Sequence, residues 1–151
     1  MTTTIKAFED DIMNDHRTAG IAIFVFELDK YKDFIDEIPL DNIPTVDVKV
    51  QRLPKPLHRI TKFLACIDNE GEHFIQTVDA MRAEVFAVLD AFRKVGARSV
   101  AMSSIKVNEI PDKSSRPEAY QRQYVEEYVA SHPDAFDTIC LVDLHGGFNH
   151  C

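Results

Sequence analysis

Apolar residues in the second half of the chain recur first at helical and then at strand-like spacing. Residues 72–95 carry them every three or four positions, which predicts a long amphipathic helix. The apolar stripe consists of Phe74, Val78, Met81, Val85, Val88, Leu89 and Phe92. Short apolar runs at 98–103 and 137–143 predict two buried strands, with a second helix between them. This alternation of helices and strands is typical of α/β proteins.

Residues that favour helix ends mark the boundaries of these elements. Gly96 follows the first helix and can take the left-handed conformation that ends a helix. Ahead of the next helix, Ser115 and Glu118 fit a capping box, with Pro117 in the first turn. We therefore expect the Ser115 side chain to cap the helix that follows the polar loop.

The first half of the chain is richer in strand-like segments. Runs at 3–8, 21–26, 45–53 and 59–67 predict four further strands, and 28–38 predicts a short helix. The run 21–26 is apolar throughout, as in a strand that is buried on both faces. About six strands and three helices together predict a three-layer α/β/α sandwich with a mixed sheet. We expect one domain to span residues 1–151.

Acidic residues outnumber basic ones in this chain. Its formal net charge is -8 and no basic stripe is evident, so we expect no specific binding to nucleic acid or to anionic membranes. A small anionic ligand remains compatible with this charge, because backbone N–H groups at helix N-termini can hold it locally. The sequence contains no P-loop, and no cofactor is expected.

The cysteines indicate a reducing compartment. Cys66 and Cys140 lie in apolar runs, where a thiol usually acts as a small hydrophobic group, and Cys151 is the last residue. An odd count at wide spacing does not suit a disulfide framework. The chain also lacks an apolar run of membrane-spanning length and a signal-peptide core, so a cytoplasmic location is expected.

Polar residues follow the predicted strand 98–103, at the point where a parallel sheet usually places a ligand. They are Ser103, Ser104, Lys106 and Asn108. One interpretation is a polar pocket floor in which Lys106 meets an anionic group. The alternative is an ordinary solvated loop, since serine and asparagine are common loop residues.

A second polar segment follows the first predicted strand and contains Asp10, Asp11 and Asn14. Asp11 has two candidate roles: it orients a base or sugar of a ligand, or it caps a turn or helix. The C-terminal residues His145, His150 and Cys151 are of the types that bind metals, but their spacing matches no zinc pattern and a frayed tail is the alternative. No metal site is therefore expected.

Three stretches resemble the macrodomain family, an α/β/α module that binds ADP-ribose. Residues 10–12 resemble its Gly-Asp-Ile segment, whose aspartate contacts adenine and matches Asp11 here. Residues 96–105 resemble the strand that leads into its phosphate-binding loop, and Pro117 resembles the proline after that loop. The family's glycines in that loop are replaced by the residues at 106–109, and side chains there obstruct close approach of backbone to a pyrophosphate.

These observations leave three functional hypotheses. The first is a divergent macrodomain-like module that binds a nucleotide or ADP-ribose-type ligand at the C-terminal edge of the sheet. Its predicted ligand-binding residues are Asp11, Asn14, Ser103, Ser104, Lys106 and Asn108. The second is a protein-interaction or homo-oligomeric module that has lost the pocket. The third is a small hydrolase that uses loop carboxylates, although no assembled catalytic set is visible in the sequence.

Overall fold

A six-stranded mixed sheet organises the protein. The computed structural model describes residues 2–25, 42–44, 46–55 and 59–150. The strands are β1 (Thr4–Glu9), β2 (Gly20–Val25), β3 (Gln51–Arg52), β4 (Phe63–Asp68), β5 (Ser99–Ser103) and β6 (Thr138–Asp143). The α-helices in this part of the chain are α1 (Val78–Lys94) and α2 (Pro117–Ser131).

The strands lie in the order β1-β6-β5-β2-β4-β3. All neighbouring pairs are parallel except β3 and β4, which are antiparallel. The five parallel strands therefore end at one side of the sheet, which we call the carboxyl edge. Four of them end there in a polar residue: Glu9, Asp68, Ser103 and Asp143. Both polar segments predicted from the sequence follow strands that end at this edge.

Strand β2 confirms the prediction of a strand that is buried on both faces. All of its residues from Gly20 to Val25 are buried. Their side chains alternate between two apolar clusters, so that Ala22 and Phe24 face one side of the sheet while Ile21 and Ile23 face the other. Phe26, which was predicted to end this strand, lies outside the described residues.

Helix α1 begins later than the sequence pattern predicted. The Thr77 hydroxyl caps it by accepting a hydrogen bond from Ala80 N at 3.2 Å, so the start at residue 72 was wrong. Residues Gly71–His73 form a separate 3-10 turn, and Phe74 lies before the helix. The remainder of the stripe is buried as predicted, and Gly96 ends the helix with a φ of 81°.

The predicted capping box at the start of α2 does not form. Arg116 occupies the cap position without a side-chain hydrogen bond, and Pro117 begins the helix. The Ser115 hydroxyl instead donates to Asp112 Oδ2 at 3.2 Å. Glu118 forms an ion pair with Lys106. Both partners of the box therefore have other contacts, which is why the motif in the sequence was misleading.

The predicted strand at 45–53 is mostly irregular over its described residues, 46–53. Strand β3 comprises only Gln51–Arg52, and the Val46 side chain is exposed. The Asn42 side chain hydrogen-bonds both backbone groups of Lys49, accepting from its N–H at 2.7 Å and donating to its carbonyl at 3.0 Å. These backbone groups are thus hydrogen-bonded to a side chain and not to a neighbouring strand. Alternating valines alone were therefore insufficient to predict strand pairing in this segment.

Each face of the sheet carries its own apolar cluster. The larger cluster joins both α-helices to one face, while on the other face the 3-10 helix Ile12–Asn14 contributes Ile12 and Met13. The predicted helix at 28–38 lies outside the described residues. Cys66 and Cys140 are buried in the smaller apolar cluster, and the Cys140 thiol is free. Burial raises the pKa of the Cys140 thiol to about 11, so the thiol stays protonated.

Candidate functional site

Asp143 joins the two polar segments that the sequence placed at the carboxyl edge. Its carbonyl oxygen accepts a hydrogen bond from Asp10 N at 3.1 Å, and its carboxylate oxygen Oδ1 accepts one from the Ser104 hydroxyl at 3.1 Å. The ends of β1, β6 and β5 are thereby held next to one another. The structure thus brings the segment around Asp11 and the loop after Ser103 to one side of the sheet.

The Asp143 carboxylate also organises the turn that follows β6. It accepts hydrogen bonds from Gly147 N at 2.8 Å and from His145 N at 3.2 Å. Burial alone would raise the pKa of Asp143, but these hydrogen bonds, the Ser104 hydroxyl and the nearby Lys106 charge together hold it below its ordinary value. The carboxylate is therefore ionised at neutral pH.

The loop after β5 is held by the buried side chain of Gln121 on α2. Gln121 Nε2 donates to the Ser103 carbonyl at 2.8 Å, and Gln121 Oε1 accepts from Ile105 N at 2.8 Å. The amide thus closes the first turn of the loop with two hydrogen bonds, both at backbone groups. In a loop that contains no glycine, this contact fixes where the backbone turns.

Two further amide side chains hold the rest of this loop. The buried Asn69 donates from Nδ2 to the Lys106 carbonyl at 3.1 Å, and its Oδ1 accepts from Ile75 N at 2.7 Å. Gln76 accepts from Asn108 Nδ2 at 2.7 Å through its own Oε1. The loop is therefore preorganised by contacts with β4, the segment before α1, and α2.

Three successive backbone N–H groups of this loop stay available for a ligand. The N–H groups on either side of these three are hydrogen-bonded within the protein. Ile105 N donates to Gln121 Oε1, and Glu109 N donates to the Gln76 carbonyl at 3.0 Å. Between them, the N–H groups of residues 106–108 form no hydrogen bond with any part of the chain that the structure describes. Successive unpaired N–H groups in a fixed loop favour an anionic or strongly polar acceptor.

Lys106 forms an ion pair within the protein. Its ammonium nitrogen lies 3.1 Å from Oε1 of Glu118, in the first turn of α2. The Glu118 side chain is only 8% exposed, whereas that of Lys106 is 44% exposed. The predicted anion-binding lysine is therefore already paired with a buried carboxylate.

The structure supports the capping role of Asp11. Its Oδ1 accepts a hydrogen bond from Met13 N at 2.9 Å, at the start of the 3-10 helix. Asn14 is exposed, with Nδ2 at 3.5 Å from Oδ1 of Asp10. Ser103 is the residue of the predicted set most involved in the sheet itself, since its hydroxyl accepts from Phe24 N at 2.9 Å.

Sequence reasoning missed Gln121 and Asn69, the two buried amides that shape the loop. Gln121 lies at helical spacing from Tyr124, Val125 and Tyr128, and a glutamine on the same face as these residues was the available signal. Asn69 follows β4 directly and had no part in the predicted site. A buried amide must find hydrogen-bond partners, so both residues pointed to nearby unpaired backbone.

Within 2–25, 42–44, 46–55 and 59–149, no group of three or more His, Cys, Asp or Glu side chains is arranged to hold a metal ion. His145 is exposed after β6, while the side chain of His150 and all of Cys151 lie outside the described residues.

None of the helices in the described ranges is both long and apolar enough to cross a membrane.

Comparison with known proteins identifies the fold. No protein-family model and no curated protein sequence matches the chain. A macrodomain of Trypanosoma brucei is similar in structure, with a TM-score of 0.70 and 11% identity over 97% of this chain and 66% of that one. The macrodomain of Mycobacterium tuberculosis DarG is similar with a TM-score of 0.60 and 12% identity, over 92% of this chain and 97% of the other.

The Trypanosoma brucei macrodomain in complex with ADP-ribose is also similar, with a TM-score of 0.63 and 9% identity. That match covers 97% of this chain and 66% of the trypanosomal one, so the chain spans about two thirds of its length. At such low identity the likeness concerns the fold alone. The chain has a divergent macrodomain-like fold, and the predicted fold class, a mixed six-stranded α/β sheet, is confirmed.

Proposed function

We propose that residues 1–151 form one macrodomain-like domain that binds a small nucleotide-type ligand at the carboxyl edge. The observation that carries this proposal is the loop after β5, whose unpaired N–H groups at 106–108 are held in place by buried amides. A preorganised loop loses little conformational entropy when a ligand binds to it, so the entropic cost of ligand binding is small. The position of the loop, after a central parallel strand, is the one that α/β sheets commonly use for ligands.

Each predicted site residue has a role in this proposal. The N–H groups of Lys106, Val107 and Asn108 hold an acceptor oxygen such as that of a phosphate or ribose. The Ser104 hydroxyl and the Asp11 carboxylate orient the polar groups of the sugar or base, with Asn14 at the rim. Ser103 positions the loop, because its hydroxyl and carbonyl are both used inside the protein.

Similar solved structures support the ligand class. The trypanosomal macrodomain, which shares the fold, is described in complex with ADP and in complex with ADP-ribose. Both ligands combine a base, a sugar and phosphate groups. A nucleotide-type ligand is therefore the first class to test, although the loop here has side chains in place of glycine.

Amide chemical shifts provide the most direct experiment. The ¹⁵N-labelled protein would be titrated with adenosine, cyclic AMP, ADP and ADP-ribose. We expect saturable shifts in the amide signals of Lys106, Val107 and Asn108. Ala97 and Ala135 serve as control amides, because they precede β5 and β6 and thus lie at the opposite edge of the sheet. Shifts confined to the control amides, or none with any ligand, would contradict the proposal.

A protein-interaction or homo-oligomeric module is the alternative function. It is favoured by the internal contacts of the predicted ligand-binding side chains, since Ser104, Lys106 and Asn108 all bind other side chains of the protein. Under this alternative the amides at 106–108 face solvent in the isolated protein and respond to protein concentration, not to ligand. The same titration, repeated at several protein concentrations, distinguishes the two.

A further inference from the structure

The charge balance around Lys106 restricts what the proposed site can bind. The only ion-pair partner of Lys106 among the described residues is Glu118, at 3.1 Å. Because Glu118 is nearly fully buried, its charge cannot be screened well by solvent. The positive charge of Lys106, which would attract a phosphate, is therefore already neutralised by Glu118 before a ligand binds.

Glu118 is also held in place from the opposite side. The turn after β6 packs its Gly147 backbone against the Glu118 side chain, so closely that a Cβ atom at Gly147 would lie 2.8 Å from Glu118 Cγ and 2.9 Å from Cδ. The Glu118 carboxylate is thus packed against this turn on one side and paired with Lys106 at 3.1 Å. A ligand phosphate that approaches Lys106 would lie close to this carboxylate.

Asp143 and Glu9 add further negative charge at the same place. The Asp143 carboxylate is bonded to Ser104 at the start of the loop and to Gly147 N. Glu9 is the register partner of Asp143 on β1, and its carboxyl carbon lies 3.3 Å from the position that a Cβ of Gly146 would take. Lys106 therefore lies close to two carboxylates, those of Glu118 and Asp143, and Glu9 adds a third negative charge beside the neighbouring turn.

From this arrangement we infer that the site selects nucleoside-type ligands with at most one negative charge and disfavours diphosphates. The unpaired N–H groups at 106–108 can donate to a neutral or singly charged oxygen acceptor, while each added phosphate charge is repelled by the carboxylates of Glu118 and Asp143. This inference rests on the proposed function, because it concerns the ligand of the same loop.

The test compares three probes by isothermal titration calorimetry without divalent metal: neutral adenosine, singly charged cyclic AMP and multiply charged ADP. We expect adenosine and cyclic AMP to bind within about tenfold of each other and ADP to bind at least about tenfold more weakly. Tighter binding of ADP than of the other two would overturn the inference and leave the proposed function intact. Failure of all three to bind would contradict the inference, and failure of ADP-ribose as well would contradict the proposed function.

The salt dependence of binding gives a second readout that needs no variant. If carboxylates oppose the phosphates, raising the ionic strength should strengthen ADP binding modestly and leave adenosine binding unchanged, because salt screens the repulsion on the side where the ligand phosphates face solvent. ADP binding that weakens with salt would show an attractive site and overturn the inference.

A matched pair of variants localises the effect. Glu118→Gln removes the buried charge beside Lys106 and should improve ADP binding about tenfold relative to adenosine. Glu126→Gln removes the same charge from the exposed face of the same helix, where Glu126 pairs only with Arg122 among the described residues, and should change the ratio little. Equal effects of the two variants would mean that the overall charge of the protein, and not Glu118, sets the preference.

Discussion

Gln121 and Ser103 are joined across 18 positions of the chain by a 2.8 Å hydrogen bond from the Gln121 amide to the Ser103 carbonyl. The same amide accepts from Ile105 N, so one side chain of α2 satisfies two backbone groups of the loop after β5. Gln121 and Ile105 are fully buried, so Ile105 N has no water as a ready substitute for this partner. The shape of the proposed site thus depends on a residue to which the proposal assigns no ligand contact.

Gln121→Leu should destabilise the protein, because it leaves the Ser103 carbonyl and Ile105 N without their partner. A buried unsatisfied group costs about 1–3 kcal/mol, so we expect the free energy of unfolding to fall by about 2–4 kcal/mol in urea titrations. Gln123→Leu, on the exposed side of the same helix, should change it by less than about 0.5 kcal/mol. Similar small effects of both would show that the amide contact carries little stability.

Phe92 and Gly20 should behave as a coupled pair. Phe92 is fully buried, and Phe92→Ala should cost about 3–5 kcal/mol through the cavity that it leaves. A Cβ atom at Gly20 would lie 2.5 Å from Phe92 Cε1, so Gly20→Ala should also destabilise the protein. Combined with Phe92→Ala, the same Gly20→Ala change should cost much less, because the cavity accommodates the methyl group. Additive effects in denaturant titrations would contradict this packing.

The elements that could be predicted from sequence are those whose signal lies within a single segment. The continuous apolar run of β2 and the helical spacing between Val78 and Phe92 each record burial directly, and both were confirmed. The macrodomain-like fold followed from the order of such elements. By contrast, the start of α1 depended on which polar residue capped it, and Thr77 did so several residues after the predicted start.

The contacts of the proposed site could not be predicted in this way. Ser104 pairs with Asp143 and Lys106 with Glu118, at separations of 39 and 12 positions. Which partner a polar side chain takes depends on how strands and helices meet in three dimensions, and neighbouring residues do not record it. The sequence placed these residues at the correct edge of the sheet through topology, while their role in ligand binding stays a prediction.

Lys106→Ala should lower stability, because it leaves the buried Glu118 carboxylate without its cation. Removing one partner of a buried pair is costly, but Lys106 is 44% exposed, so we expect a loss of about 1–3 kcal/mol in the free energy of unfolding. Lys106→Met combined with Glu118→Gln should recover much of this loss, since no unpaired charge remains. If the single variant is as stable as the wild type, solvent compensates Glu118 and the pair matters less than its geometry indicates.

Asp143 should contribute to the acid sensitivity of the protein. Its pKa in the folded state lies below the ordinary value of 3.8, so the folded state binds a proton less readily than the unfolded state. The stabilisation is therefore present at neutral pH and is lost as the pH falls through the folded-state pKa. Asp143→Asn should accordingly lower the melting temperature at pH 7 and flatten its decline below about pH 4.

Asp137→Asn is the matched control for this pH dependence. Asp137 precedes β6, at the opposite edge of the sheet, and its ion pair with Arg98 is exposed on both sides. An exposed pair is well screened by solvent, so its loss should leave the pH profile of the melting temperature close to that of the wild type. If both variants flatten the decline of the melting temperature at low pH equally, the effect reflects the overall charge of the protein. A change confined to Asp143→Asn would instead assign it to the hydrogen bonds from Gly147 and Ser104, which only the ionised carboxylate accepts in full.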